Sequence, residues 1–334
     1  MKFGLFGGAV ARRGEETADS QGYGGFIDTV VEAEQLGFES IFIVEHHFSG
    51  GGQLSSSLNL LSYLAAITST IRLGTAVTVL PWHNPVLIAE QAATVDLLSG
   101  GRLDFGVGKG YRDIEFDGFC IPKEESLARY EESIEVIIKS WTSNERFDHN
   151  GKFWSFKDII VEPPTIQKPH PPLWTAAGTD ESIARVAETG MSVMLDHFAS
   201  FERTEERLTA WRSACDGIGR NFDPMEVALA RGVTITLTND GLEKATAIRE
   251  ERVSRMFDKF GALPGLEKKS DQPDSYANPD LAIDDAALLG TPDMIIERIQ
   301  TLKDMGFEHI LFLLPDSVET LRIISKEIMP AFKS

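Results

Sequence analysis

The sequence is poor in cysteine, in long apolar runs and in basic residues. It has only 2 cysteines, Cys120 and Cys215, in 334 residues. This excludes a disulfide framework and a four-cysteine metal site, and it is typical of a reducing compartment. No stretch reaches the ~18 uninterrupted apolar residues of a membrane-spanning helix, and the run MKFGLFGGAV is too short for a signal peptide. We therefore expect a cytoplasmic protein with no membrane partner.

The charge balance narrows the range of partners further. Lys and Arg total 32 and Asp and Glu total 51, so the formal net charge is -19. An acidic surface repels phosphate backbones and anionic lipid, so nucleic acid is not an expected partner. Apolar residues make up 42% and charged residues 25%, the ordinary balance of a globular chain with a buried core.

An amphipathic helix followed by a glycine and a short apolar strand recurs along the chain. Residues 36–43 read LGFESIFI and residues 305–312 read MGFEHILF. Gly37 and Gly306 stand where the C-terminal cap of a helix requires a positive φ. Helices that alternate with strands buried on both faces indicate βαβ units and a parallel sheet.

The count of these units predicts a (β/α)8 TIM barrel with insertions, formed by a single domain over 1–334. A doubly wound open sheet is the alternative, but GLFGGA at 4–9 does not match the G-x-G-x-x-G turn that such sheets carry. Strands are predicted near 2–6, 39–45, 72–79, 102–107, 172–177, 192–196, 228–237 and 309–314. Helices are predicted near 24–36, 57–69, 85–98, 124–141, 180–189, 201–217, 240–256, 292–305 and 316–332.

Two insertions interrupt the repeat. The first, near 142–170, contains an Asn150-Gly151 dipeptide that predicts a hairpin turn between two short strands. The second, near 257–289, shows little periodicity and is interpreted either as a lid or as a surface insertion.

The segment Glu45-His46-His47-Phe48 follows a predicted strand. In a parallel barrel the catalytic groups lie at the C-terminal ends of strands. Adjacent strand residues point to opposite faces, so His46 and His47 are not expected to bind one metal together. A pair of structural histidines that hydrogen-bond neighbouring loops is the alternative.

Three further segments have features of a ligand site. LGTAVTVLPWHNP at 73–85 ends a strand with small side chains, which let a flat ligand approach the backbone. The glycine-rich run around Lys109 presents an ammonium group suited to phosphate. The turn before Ser182 presents hydroxyls and helix N–H groups suited to the same ligand. Ordinary barrel packing, a tight turn and plain helix capping are the respective alternatives.

With these motifs in this order, the chain resembles the bacterial luciferase family of flavin-dependent monooxygenases. The resemblance spans nearly the whole chain, through GTPDMIIERI at 290–299 and MPAF at 329–332. It implies a barrel that binds reduced FMN and uses O2 to oxygenate a small organic substrate. It also implies homodimers, for which the predicted helices 57–69 and 85–98 are our candidate interface.

The resemblance also assigns roles to residues. It implies that His46 is the catalytic histidine and that Tyr111 lies near the flavin ring. Lys109 stands where luciferase has a phosphate-binding arginine, and it keeps the charge without the bidentate fork. Gly108 replaces the reactive cysteine of luciferase, so we expect a non-luminous member. The remaining cofactor contacts it implies are Ala76 and Val77, joined by a non-proline cis peptide under the ring, and Gly178, Thr179 and Ser182 at the phosphate.

Candidate substrate-pocket residues are Phe6, Trp82, Asp196, His197 and Phe198. Their aromatic share suggests an apolar or aromatic molecule, such as a long-chain aldehyde, a ketone or a sulfur compound. Asp196 and His197 have the alternative of pairing with each other or capping a loop.

We expect the oxygenase of a two-component system, because no dinucleotide fingerprint supports a fused nicotinamide domain. A separate NAD(P)H:flavin reductase would then supply reduced FMN. Two alternative functions are compatible with the same barrel fold: a deazaflavin-dependent oxidoreductase and a non-catalytic flavin-binding protein. A metal-dependent hydrolase that uses His46, His47, Asp196 and His197 is a third, disfavoured alternative.

Overall fold

The computed structural model describes residues 1–11, 21–238, 241–248, 251, 286–315 and 317–333. Its strands are β1 Lys2–Gly7, β2 Ser40–Ile43, β3 Arg72–Thr75, β4 Thr78–Val79, β5 Leu103–Gly108, β6 Phe147–Asn150, β7 Ser155–Ile159, β8 Leu173–Ala176, β9 Ser192–Leu195, β10 Val227–Arg231, β11 Val233–Ile235, β12 Leu288–Gly290 and β13 His309–Leu313. Its helices are α1 Gln21–Gln35, α2 Ser57–Ile67, α3 Pro85–Leu98, α4 Asp113–Phe119, α5 Ser126–Thr142, α6 Asp180–Thr189, α7 Phe201–Gly217, α8 241–248, α9 Pro292–Met305 and α10 Val318–Ile323.

The main sheet is the parallel sheet of a (β/α)8 barrel. Its order is β3-β2-β1-β13-β10-β9-β8-β5-β4, and an additional pairing of β3 with β5 closes it. Every residue of β2, β5 and β10 is buried, as expected for parallel strands with both faces covered. The predicted fold class is therefore confirmed.

The chain divides into two compact units. The first unit comprises Met1–Phe6, Gln35–Glu39 and Ala176–Ser334, and the second unit comprises Gly7–Glu34 and Ser40–Thr175. The organisation as a single domain stays a prediction.

In the second unit, local signals place the element boundaries. Asn84 caps α3 by accepting hydrogen bonds from the N–H groups of Val86 and Leu87, and Pro85 begins the helix. The predicted helix 85–98 is confirmed to the residue because both signals lie in adjacent positions. The strand predicted over 72–79 is divided into β3 and β4 on either side of Ala76–Val77.

In the first unit, Gly306 ends α9 with φ +109°, as its position after the helix predicts. The strand predicted over 228–237 is divided at Gly232, after which β11 leaves the main sheet and pairs with β12. The last predicted helix, 316–332, keeps α-helical geometry only over α10. It continues as a π-turn and a 3-10 turn, because Pro330 cannot donate to the preceding turn.

The first predicted insertion forms a hairpin, β6–β7, but its turn differs from the prediction. Asn150 pairs with Ser155 inside the ladder, and the connection is the longer loop Gly151–Trp154. The Glu132 carboxylate of α5 accepts the N–H groups of Lys152, Phe153 and Trp154 and so shapes this loop from outside it. The second predicted insertion lies outside the described residues except for 286–289, which lead into β12.

Helix α4 was not predicted; it follows the glycine-rich loop after β5 and brings Glu115 to the candidate site. Among the described residues, no helix is both long and apolar enough to cross a membrane.

Candidate active site

In the second unit, His46 is paired with a buried carboxylate. Its Nδ1 lies 3.0 Å from Oε1 of Glu115, and the backbone N–H of His47 donates to the same oxygen at 3.0 Å. Glu115 is only 1% exposed. An ionised carboxylate can only accept hydrogen bonds, so Nδ1 carries the proton and a neutral His46 keeps Nε2 as an acceptor. The pair therefore sets the tautomer of His46.

A second buried carboxylate, Glu45, holds His47. It is 3% exposed, and its Oε1 accepts from His47 Nε2 at 3.2 Å, Trp82 Nε1 at 3.1 Å and His83 Nε2 at 2.8 Å. Burial raises the pKa of Glu45, but these hydrogen bonds and the charge of His83 outweigh it, so the pKa lies below its usual value. Glu45 therefore stays ionised and anchors the start of the loop.

The two histidines bind different carboxylates, His46 that of Glu115 and His47 that of Glu45. Strand β2 ends at Ile43, so the alternation of a strand does not reach His46 and His47. Both residues contribute to the lining of one cavity of about 220 Å³. The other lining residues are Phe48, Ser49, Gly50, Gly52, Gln53 and Ser55.

The loop that forms this cavity was not identified from the sequence. The glycine- and serine-rich run after EHHF, SGGGQLSSS at 49–57, was the available signal. None of the predicted pocket residues is among those that line it. Trp82 instead stacks on Phe119 at 5.0 Å between ring centroids and donates to Glu45.

The segments predicted to lie against a flavin ring are also in the second unit. The Ala76–Val77 peptide bond is cis, as the resemblance implies. A Cβ atom at Gly108 would collide with the Val77 side chain, so this backbone accommodates glycine and not cysteine there. Tyr111 is 40% exposed, with its ring edge-on to His46 at 6.4 Å, and Lys109 is exposed.

In the first unit, the predicted phosphate turn forms a helix cap. Thr179 Oγ1 accepts from the N–H of Ser182, while Ser182 Oγ accepts from the N–H groups of Gly178 and Thr179. This is a capping box, so both hydroxyls already serve the start of α6. The free N–H groups of the first helical turn remain the donors for an anion.

The acidic residues of that turn are paired with arginines. Asp180 bonds Arg203 at 3.0 Å and Glu181 bonds Arg185 at 3.0 Å. Arg207 lies close beneath the turn, since its Nη2 is 3.3 Å from where a Cβ of Gly178 would stand. These arginines, which sequence reasoning missed, offset the two carboxylates beside the helix N-terminus.

Asp196 of the first unit caps the loop that follows β9. Asp196 accepts from the N–H groups of Phe198 and Ala199 and forms an ion pair with Arg207 at 2.8 Å. His197 packs against Phe198 and Phe6, with ring centroids 3.8 and 6.2 Å apart. The hydrogen bonds of Asp196 are therefore those of a loop cap, which is one of the alternatives given above. The pocket role of these residues stays a prediction.

Within the described ranges, no group of three or more His, Cys, Asp or Glu side chains is arranged to hold a metal ion. Four histidines of the second unit, His46, His47, His83 and His149, instead form hydrogen bonds with carboxylates.

Comparison with known proteins agrees with this geometry. A family model described as luciferase-like monooxygenase matches residues 1–309. The chain is 26% identical to the oxygenase component of flavin-dependent trigonelline monooxygenase from Acinetobacter baylyi, over 99% of this chain and 96% of that one. It is 27% identical to an F420-dependent glucose-6-phosphate dehydrogenase from Nakamurella multipartita, over 95% of each chain. The crystal structure of monooxygenase RslO1 from Streptomyces bottropensis is similar with a TM-score of 0.83, at 25% identity and over 100% of both chains.

Proposed function

This chain belongs to the luciferase-like monooxygenase family, and we propose that it is the oxygenase of a two-component system that uses reduced FMN and O2 to oxygenate a small organic substrate. The observation that carries the proposal is the His46–Glu115 pair, 3.0 Å apart, in the same unit as Ala76, Val77 and Gly108. When bound, reduced flavin supplies the electrons that activate O2.

The residues of the second unit fit a planar ring. Ala76 and Val77 are half-buried, so a flat ligand can approach the backbone there, and Gly108 lies buried beneath the Val77 side chain. His46 keeps Nε2 available to take or return a proton at the ring, while Glu115 holds the opposite nitrogen. Tyr111 would cover the ring edge.

The residues of the first unit fit a phosphate. Gly178, Thr179 and Ser182 build the start of α6, whose unpaired N–H groups favour an anion. The ion pairs of Asp180 and Glu181 with arginines remove the repulsion that two carboxylates would otherwise exert. Lys109 of the second unit is proposed as a cationic contact of the cofactor on the resemblance alone.

The electron donor is proposed to be a separate NAD(P)H:flavin reductase in the cytoplasm. The relative from Acinetobacter baylyi is named as an oxygenase component, which is the arrangement proposed here. Reduced FMN can diffuse between the two proteins, so a lasting complex is not required.

A homodimer is proposed from the exposed apolar side chains of α2 and α3. Tyr63, Ile67, Leu87 and Leu98 are exposed, whereas Leu64, Ala65, Ala92 and Ala93 of the same helices are core. Clustered exposed apolar residues are typical of an interface. Sedimentation equilibrium should give twice the 36.8 kDa chain mass, and Leu98→Glu should reduce it to the monomer value.

A second candidate, deazaflavin-dependent hydride transfer, is favoured by the relative that is named F420-dependent. One experiment separates the two. The purified protein is given chemically reduced FMN or reduced F420, and binding and O2 consumption are measured. We expect reduced FMN to bind and O2 uptake to depend on His46. If only F420 binds and no O2 is taken up, deazaflavin-dependent hydride transfer replaces the oxygenase proposal.

A further inference from the structure

The cavity beside the His46–His47 segment carries polar groups that the proposed oxygenation does not use. Its volume of about 220 Å³ is smaller than the ~300–1,000 Å³ of pockets for drug-sized ligands. Its walls are mainly hydrogen-bonding: two histidines, two serines and Gln53, with Phe48 as the single large apolar side chain. Such a cavity suits a ring-sized polar molecule better than a long alkyl chain.

The orientation of the Gln53 amide follows from its neighbours. Arg112 Nη1 and Ser49 Oγ each lie 3.1 Å from one terminal atom of that amide. Arginine has no acceptor, so the atom that faces it must be the amide oxygen. The NH2 group is then the other end, and within the described ranges it makes no hydrogen bond. Gln53 therefore offers a donor with a fixed direction.

The loop that carries Gln53 is held in place. Gln53 bridges to Val10, and the N–H of Ala11 donates to the carbonyl of Gly52 at 2.8 Å. The Gly51 N–H donates to Ser49 Oγ at 3.2 Å. On the other side of Gln53, the carbonyl of Leu54 accepts from the N–H of His46 at 2.9 Å. Because the backbone is tied on both sides, the donor costs little ordering entropy when a ligand binds.

Other groups on the same cavity are also uncommitted. In the described part of the chain, His46 Nε2 and Ser55 Oγ have no hydrogen-bond partner, while the other nitrogen of His46 is held by Glu115. A ligand oxygen seated on the Gln53 amide would thus share its cavity with the proposed acid–base nitrogen.

Resting on the proposed function, we propose that this cavity is the substrate site and that it selects a compact cyclic molecule through a carbonyl or carboxylate oxygen bound by the Gln53 amide. Phe48 supplies the apolar contact for the ring, and its exposed face is large enough for this role. The substrate class is therefore a small cyclic ketone or carboxylate and not a long-chain aldehyde.

The test measures binding and not turnover. Dissociation constants of the FMN-loaded protein are measured by ligand-observed NMR for acetophenone, benzoate, ethylbenzene and octanal. The first two probes are compact and carry the oxygen, ethylbenzene lacks it, and octanal carries it on a chain. We expect acetophenone or benzoate to bind about tenfold or more tightly than ethylbenzene and octanal, because a built donor rejects analogues that leave it unpaired. The probe that binds tighter tells a ketone site from a carboxylate site.

Gln53→Glu keeps the acceptor for Arg112 and Ser49, removes the donor and adds one negative charge. The variant should bind acetophenone about five- to tenfold more weakly and benzoate more weakly still, because two carboxylates repel each other. Its dissociation constant for ethylbenzene should be unchanged. Gln300→Glu, on α9 of the first unit, adds the same charge and should change none of these constants. Equal binding of all four probes, no binding of any, or an unchanged constant in Gln53→Glu overturns the proposal. Loss of O2 uptake with these constants intact would refute the oxygenase function alone.

Discussion

Replacing Glu115 with glutamine isolates the part of the site that sets the tautomer of His46. Glutamine has nearly the volume of glutamate, so the packing around α4 is preserved. The amide can, however, turn its NH2 group toward Nδ1 of His46, which would then accept and leave the proton on Nε2. The variant therefore removes the acceptor that His46 needs for acid–base work, while the side chain remains in place.

The magnitude follows from the two hydrogen bonds that end on Glu115 Oε1, both at 3.0 Å. A bond to a charged acceptor contributes about 1.5–3 kcal/mol and one to a neutral acceptor about 0.5–1.5 kcal/mol. The preference of His46 for one tautomer should thus weaken by about 1–2 kcal/mol, which corresponds to a rate about five- to thirtyfold lower. The free energy of unfolding should fall by a similar amount.

The assay is His46-dependent O2 uptake with chemically reduced FMN, measured beside the FMN dissociation constant. Glu132→Gln is the matched control, since Glu132 also pairs with a histidine, His149, but holds the β6–β7 hairpin. It should lose stability and keep the rate. A folded Glu115→Gln protein with the wild-type rate would refute the reasoning.

Two further predictions concern charge in the first unit. Arg203→Met leaves Asp180 without the ion pair now at 3.0 Å, so the affinity for FMN should fall about three- to tenfold in fluorescence titrations. Riboflavin, which has no phosphate, should bind as before. Equal losses of affinity for both ligands would contradict this prediction. Burial, with the nearby charge of Lys2, lowers the pKa of His309 from 6.5 to about 4. Between pH 4 and pH 6.5 the unfolded chain therefore binds more protons than the folded chain, and stability is lost as the pH falls through this range. The contribution of His309 should make the free energy of unfolding in urea about 2 kcal/mol lower at pH 5 than at pH 7. A His309→Gln variant that keeps the full pH dependence would contradict the assignment.

Local signals were sufficient for much of the fold. Asn84-Pro85 and Thr179 begin helices through hydrogen bonds within three residues, so their positions can be predicted from the sequence. The same locality explains why His46 could be singled out at the end of a strand.

Glu115 could not be predicted in the same way. In the sequence it stands among charged residues that indicate a solvated helix, and its burial depends on His46, 69 positions away. Gln53 lies in a loop with no periodicity, where only the structure relates it to Arg112. Arg203 and Arg207, which lie beside the phosphate turn, come from α7 and were missed for the same reason.

The most direct test of the oxygenase proposal is isotopic. Wild-type protein and His46→Ala are each mixed with chemically reduced FMN, ¹⁸O2 and the cyclic carbonyl probe that binds, and the products are analysed by mass spectrometry. The account predicts one ¹⁸O atom in the product of the wild-type protein, and none with His46→Ala despite normal FMN binding. No label with the wild-type protein, or equal label with both, would contradict it.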